Sequence, residues 1–201
     1  MVSFESIQIL LASKSPRRKQ LLEDAGFHFK TIRSVDIDET VPSEITSEAA
    51  AEYLSELKAE ANKHFVKEHS VLLTADTVVC LDGALLGKPV DFDDAFRMLN
   101  SLSGKMHTVI TGVTLLSTNL KKTFSSVTNV WFKAMNNEEI RYYIQTYKPY
   151  DKAGAYGIQE WIGLTCIEKI EGSYFNVMGL PIEKVYDELK AFIPKIGSNL
   201  L

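Results

Sequence analysis

Apolar and polar positions along the chain change their period from block to block, and the changes mark out elements. Ile7 to Ala12 is an almost unbroken apolar run, the pattern of a buried strand. Ser15-Pro16 then predicts a helix start, with Ser as cap and Pro in the first turn. Leu21, Leu22 and Ala25 supply its apolar face, and Gly26 ends it. Phe27 to Ile32 reads as a second strand. Thr46 is expected to cap a long helix with Ala50, Tyr53, Leu54, Leu57, Ala61 and Phe65 at helical spacing. Val71 to Leu81 is rich in β-branched residues and reads as a central strand, closed by the hairpin signal Asp82-Gly83.

Further along, Asp91 predicts a helix carrying Ala95, Met98, Leu99 and Leu102, ended by Gly104. Met106 to Ser117 and Thr123 to Lys133 read as strands joined by a polar turn, Thr118 to Lys122. Asn136 or Asn137 starts another helix. Strands are expected around Ile162 to Ile170 and Ser173 to Val177, then a helix from Pro181 to Phe192. Strands alternate with helices, yet some neighbours read as hairpins, so the expected class is α/β with a mixed sheet. No linker is rich enough in Pro, Gly or Ser to cut the chain, so 201 residues are expected to form one domain, or one domain in two lobes.

Composition narrows the classes. Apolar residues are 45% and charged residues 24% of the chain, as in an ordinary globular protein. A net charge of −4 argues against a broad nucleic-acid surface, which needs a basic stripe, but leaves room for a local phosphate pocket. Cys80 and Cys166 lie in apolar runs and read as buried small hydrophobes; no Cys/His spacing suits zinc. The start, Met1 to Ser6, lacks a basic segment ahead of an apolar one, and no run reaches membrane-span length. The expected location is therefore the cytoplasm, with no membrane partner.

The sharpest chemical signal is Leu11-Ala12-Ser13-Lys14-Ser15-Pro16-Arg17-Arg18. A buried strand ends in hydroxyl residues just before a helix begins. Free N–H groups and the positive dipole end at a helix start suit an anion. Ser13 and Ser15 add hydroxyls, and Arg17 and Arg18 add planar forks that match phosphate oxygens. The plainer reading of the same residues is a capped surface helix with solvated arginines. Asp76 is a carboxylate in the middle of an apolar strand, costly to bury unless paired, hydrogen-bonded or bound to metal. Taken alone, it reads as a structural acid satisfied by Thr74, Thr77 or backbone donors, and Lys58 and Lys88 read as solvated charges.

The amino-terminal segment resembles that of the Maf proteins, the septum-formation-inhibitor family of nucleotide pyrophosphatases. So do Thr74-Ala75-Asp76-Thr77-Val78-Val79, Gly87-Lys88-Pro89, and Leu102-Ser103-Gly104 with His107 to Val113. Asp151-Lys152-Ala153-Gly154-Ala155-Tyr156-Gly157-Ile158-Gln159, Gly172-Ser173-Tyr174 and Gly179-Leu180-Pro181 complete the series in family order. One departure stands at Tyr53-Leu54-Ser55, where family members often carry Arg-Leu-Ala. The resemblance implies an elongated mixed sheet with two lobes around a cleft, similar to the inosine-triphosphate pyrophosphatases. It implies an enzyme that splits a nucleoside triphosphate into monophosphate and pyrophosphate. Asp76 matches the family's catalytic proton acceptor, and Lys58 and Lys88 match basic positions around the triphosphate, Lys88 being taken with Asp76 as catalytic. Glu39, closing the acidic stretch Val35 to Glu39, and Asp76 are then candidate ligands of a Mg²⁺- or Mn²⁺-type cation, which would let carboxylates face a triphosphate. Arg17, Thr77 and Gln159 match positions tied to substrate choice, and Gln159 in its context resembles the branch acting on dTTP and UTP. The branch acting on 7-methyl-GTP is the alternative, and a nucleotide-binding regulator of cell division without important turnover is another. Homodimers are common among such proteins, which makes a homodimer the assembly to test for.

Overall fold

The computed structural model describes residues 7–197, so the reading of Met1 to Ser6 lies outside the described residues. Within them a single mixed sheet runs in the order β2-β1-β3-β5-β6-β7, with β4 added on β3. Its strands are β1 (Gln8–Leu11), β2 (Phe29–Thr31), β3 (Ser70–Leu81), β4 (Ala84–Leu86), β5 (Met106–Leu116), β6 (Lys121–Phe132) and β7 (Ile167–Glu171). The helices are α1 (Pro16–Asp24), α2 (Ala50–Asn62), α3 (Phe92–Leu102), α4 (Asn137–Tyr147), α5 (Trp161–Cys166), α6 (Tyr174–Met178) and α7 (Ile182–Gly197). Both β2 and β3 pair with β1 in parallel, whereas β4 and β7 pair antiparallel with β3 and β6. The mixed α/β class expected from the alternation is the one observed.

The chain divides into two compact units. The first takes the residues up to Asp76, then Thr111–Ser126, then those from Gly179 onward; the second takes Thr77–Ile110 and Val127–Met178. In the first unit, α2 buries a row of small side chains, among them Ala50, Ala51, Ser55 and Ala59. The reason is a close approach. A Cβ on Gly112 of β5 would fall 2.2 Å from the carbonyl oxygen of Ala51. Hydroxyls then fix the register, with Thr74 Oγ1 donating to Ser55 O at 2.7 Å and Ser55 Oγ 2.8 Å from Thr114 Oγ1. The second unit has an apolar core that includes Leu99, Val130, Ile140, Ile144 and Ile162. At the β3–β4 hairpin Asp82 and Gly83 both take positive φ, 51° and 82°, as the predicted two-residue turn requires.

Several expectations need correction. Thr46 does not cap α2 with its side chain; its carbonyl accepts from Ala49 N at 3.0 Å in a preceding turn, and the helix starts without a side-chain cap. The helix stops at Asn62, and Phe65 lies in a separate 3₁₀ turn. Ala25 is exposed, and Cys80 is only half-buried, while Cys166 is buried; both thiols are free. The β5–β6 turn is tighter than expected, closed by Ser117 N donating to Leu120 O at 2.8 Å. The segment at Ile162 is the short helix α5, and the expected strand Ser173 to Val177 lies instead at α6, with Ser173 just ahead of the helix and its Oγ accepting from Asn176 N at 3.4 Å. Short apolar runs carry no periodicity long enough to separate helix from strand.

One core group makes stability depend on pH. His107 is buried, with Nε2 2.8 Å from the Tyr156 hydroxyl and edge-on contacts to Phe132 and Tyr156. Burial lowers its pKa from 6.5 to about 4. Well above pH 6.5 the ring is neutral in folded and unfolded chains alike. As pH falls toward 4 the unfolded chain takes up a proton that the folded chain refuses. Stability is therefore lost across that window, by about 3 kcal/mol in full. Denaturant melts of wild type and His107→Phe between pH 6.5 and 4.5 should diverge in slope, wild type falling faster. Parallel slopes would place the proton uptake elsewhere.

Candidate active site

The first unit builds its site from four segments. Ser15 caps α1 by accepting from Arg18 N at 3.4 Å, and Ser13 Oγ accepts from Ser15 N at 3.2 Å. Each serine thus spends an oxygen lone pair on the backbone, and an accepting hydroxyl still has its O–H to donate. Arg17 follows in the first turn, with its charge acting on Arg18. The two arginines have different places. Arg18 Nε donates to Gly179 O and Nη1 to Ala75 O, both at 2.8 Å. It therefore fastens the start of α1 to the backbone just ahead of Asp76. Burial lowers the Arg18 pKa; Asp76 and Glu39 act against that shift and Arg17 with it.

Asp76 is buried on β3, and its partner is the Lys58 ammonium rather than Thr74 or Thr77. Thr74 is used instead to hold α2. Lys58 also reaches Glu39 Oε1 at 2.8 Å, so one ammonium binds two carboxylates. Its side chain is only 14% exposed, against the solvated charge its residue type suggests in isolation. The placement follows from the packing of α2. Gly112 lets the helix approach, Ser55 sets its register, and Asn62 Nδ2 donates to Lys58 O at 2.8 Å. Asn62 Oδ1 in turn accepts from Val35 N at 3.0 Å, fixing the start of the acidic loop. Within that loop Thr40 N and Oγ1 donate to Asp38 Oδ1 at 2.9 and 2.6 Å. These bonds hold the Asp38 carboxyl below its ordinary value and fix the backbone on both sides of Glu39.

Ser13, Ser15, Arg17, Arg18, Glu39, Lys58 and Asp76 all belong to the first unit, and Thr77, Lys88 and Gln159 to the second. Thr77 is half-buried on β3, and Lys88 is exposed in the segment after β4. Gln159 is half-buried, but its Oε1 is buried without a hydrogen-bond partner. Sequence reasoning missed the supporting residues Gly112, Ser55 and Asn62. A signal for one existed, since a glycine inside a β-branched strand often marks close backbone approach.

Glu39 and Asp76 are the oxygen donors that could hold a divalent cation. Lys58 binds both, and one or two carboxylates beside substrate phosphates are what magnesium usually takes.

Known proteins resemble this chain over nearly its whole length. The dTTP/UTP pyrophosphatase of Bacteroides thetaiotaomicron is 47% identical over 188 residues, 94% of this chain and 97% of that protein. The dTTP/UTP pyrophosphatase of Thermosipho africanus is 55% identical over 183 residues, 91% of this chain and 92% of that one. Among solved structures, the Ham1 protein of Staphylococcus aureus aligns with a TM-score of 0.44 at 17% identity, over 62% of this chain and 71% of that one. The family described as Maf-like protein matches residues 8–192. With that match and those identities, the chain belongs to the Maf-like protein family.

Proposed function

We propose that the chain hydrolyses nucleoside triphosphates, dTTP and UTP ahead of others, to the monophosphate and pyrophosphate. The observation that carries the chemistry is the buried Asp76 carboxylate, held by Lys58 and lying one residue beyond the carbonyl that Arg18 grips. The relatives' activity on dTTP and UTP supports the substrate.

In this reading the start of α1, with Ser13, Ser15 and Arg17, binds phosphate oxygens. Asp76 orients a water against the α-phosphorus and takes its proton. The new bond joins the water oxygen to the α-phosphorus, and the bond to the β-phosphate oxygen breaks, releasing pyrophosphate. Lys58 holds the carboxylate in place, and Lys88 offsets phosphate charge. A Mg²⁺- or Mn²⁺-type cation held by Glu39 and Asp76 would neutralise charge on the triphosphate when bound. Gln159 reads the base. Thymine and uracil present acceptor, donor and acceptor on their pairing edge, and an amide can meet two adjacent groups. Cytosine has an amino group where uracil has O4, which leaves one polar group unpaired at a cost of roughly 1–3 kcal/mol. Thr77 contributes to the same choice.

The decisive experiment is product analysis with added Mg²⁺ or Mn²⁺ across the nucleotides. dTTP should give dTMP and pyrophosphate, with dTTP and UTP turned over well ahead of CTP, ATP and 7-methyl-GTP. Release of dTDP and orthophosphate would refute the bond assigned, and preference for 7-methyl-GTP would move the chain to the sister branch. Absence of turnover on every nucleotide would leave a binding protein.

The arginines separate the two roles near the phosphates. Arg17→Ala should raise KM for dTTP with kcat nearly kept, the signature of a contact made equally in ground and transition states. Arg18→Ala should lower both kcat and the melting temperature, because two backbone carbonyls lose their donor. Equal kinetics in the two variants would refute the division.

A further inference from the structure

Around Gln159 the second unit spends several buried polar groups on one short turn. Glu160 N donates to Gly157 O at 3.0 Å, so Ile158 and Gln159 are the central residues of a four-residue turn. Its first N–H, that of Gly157, donates to the Tyr143 hydroxyl at 3.0 Å. The same hydroxyl donates to Glu160 Oε2. Lys152 Nζ lies 3.2 Å from Glu160 Oε1 and 2.8 Å from Asp151 Oδ1. Tyr143 is fully buried, and the Lys152 and Glu160 side chains are 9% and 18% exposed.

The carboxylate also lies flat against the backbone. A Cβ on Gly157 would meet Glu160 Cδ at 2.9 Å and both carboxylate oxygens at 3.1 Å. From the other side, a Cβ on Gly163 of α5 would fall 1.7 Å from Ile158 O, so that helix is seated on the turn. Ile158 is buried in the core of the unit. The backbone is thus held at both ends and at its middle, yet the Oε1 of the side chain it carries is buried without a partner. Burial, and then the Glu160 carboxylate, raise the Tyr143 hydroxyl above its ordinary pKa, so it remains a donor.

The geometry points to Tyr143, Glu160 and Lys152 as positioning residues for base selection, a buried clamp that aims the Gln159 amide. This rests on the reading of Gln159 as the group that meets the base. An amide tells O4 from an amino group only if its orientation is fixed, because a swung amide presents either a donor or an acceptor. The clamp residues touch no reacting atom in this account, so they should act on discrimination rather than on the chemical step.

The test is catalytic efficiency for dTTP and CTP in wild type, Gln159→Glu, Tyr143→Phe, Glu160→Gln and Lys152→Met, with melting temperatures alongside. Tyr143→Phe should lower the dTTP-to-CTP ratio about tenfold, within the range expected for one unmet polar group. Glu160→Gln, which keeps an acceptor for the tyrosine, should lower it less, and kcat for dTTP should stay within about threefold in both. Should Tyr143→Phe fail to fold, Glu160→Gln and Lys152→Met carry the same comparison. Folded variants that melt lower but keep the wild-type ratio would make the clamp purely structural and overturn the proposal. If instead Gln159→Glu keeps the wild-type ratio, the base reading itself fails and the clamp falls with it.

Discussion

Replacing Asp76 by Asn should lower turnover on dTTP by on the order of 10²-fold or more, the scale of a lost general base. The change keeps size and one acceptor oxygen, so Lys58 keeps a partner there as well as at Glu39. Truncation to Ala is a poorer test, because beyond the charge it also removes the acceptor oxygen and the volume beside the largely buried Lys58 ammonium. The Asn variant should therefore fold, with a far-ultraviolet circular dichroism spectrum like that of the wild type. Its defect should lie in kcat rather than KM, since the proton is transferred only in the transition state. A folded Asn variant with near-normal turnover would reduce Asp76 to a structural partner of Lys58.

Gly112→Ala is the second large effect, and it acts at a distance from any phosphate. A Cβ there meets the Ala51 carbonyl at 2.2 Å and the Glu52 nitrogen at 2.5 Å. Both are backbone atoms of α2, so no rotamer relieves the clash and the helix itself must move. Overpacking of this kind costs about 3 kcal/mol. In a chain of this size that lowers the melting temperature by roughly 6–12 °C. Because α2 carries Lys58, turnover should fall in the fraction that stays folded. Differential scanning calorimetry beside an activity assay reads both. A variant that melts with the wild type would mean that α2 tolerates the shift.

What could be read from the sequence divides along physical lines. The start of α1 was legible because capping is local: Ser15, Pro16 and the arginines lie within one turn. Asp76 was legible as an anomaly, a charge in an apolar strand. Its partner was not, since pairing with Lys58 depends on how α2 is seated, and that is decided where Ala51 and Ser55 of α2 meet Gly112 and Thr114, far along the chain. The same holds for α5. Its run of Ile162, Gly163, Leu164, Thr165 and Cys166 suits a strand by residue type. Only the contact of Gly163 with the Ile158 carbonyl explains the glycine, and Leu164 is 81% exposed where a buried strand would hide it. The joining of Tyr143, Lys152 and Glu160 was not legible: Lys152 stands in the block that ends at Gln159, but nothing in the pattern links it to Glu160 or to Tyr143, each an ordinary surface type or core aromatic taken alone.

The division of the chain bears on its synthesis. The first unit needs three stretches, the last beginning at Gly179, whereas the second is complete once Met178 has been made. Arg18 waits for the carbonyl of Gly179, 161 positions later, and α7 is tied to β6 by Lys184 donating to Ser125 O at 2.6 Å. A ribosome stalled before Gly179 would therefore hold a chain in which Arg18 has the carbonyl of Ala75 but not that of Gly179, and in which the first unit lacks α7. The unit that carries Asp76, Lys58 and Glu39 is thus the later of the two to be completed in translation.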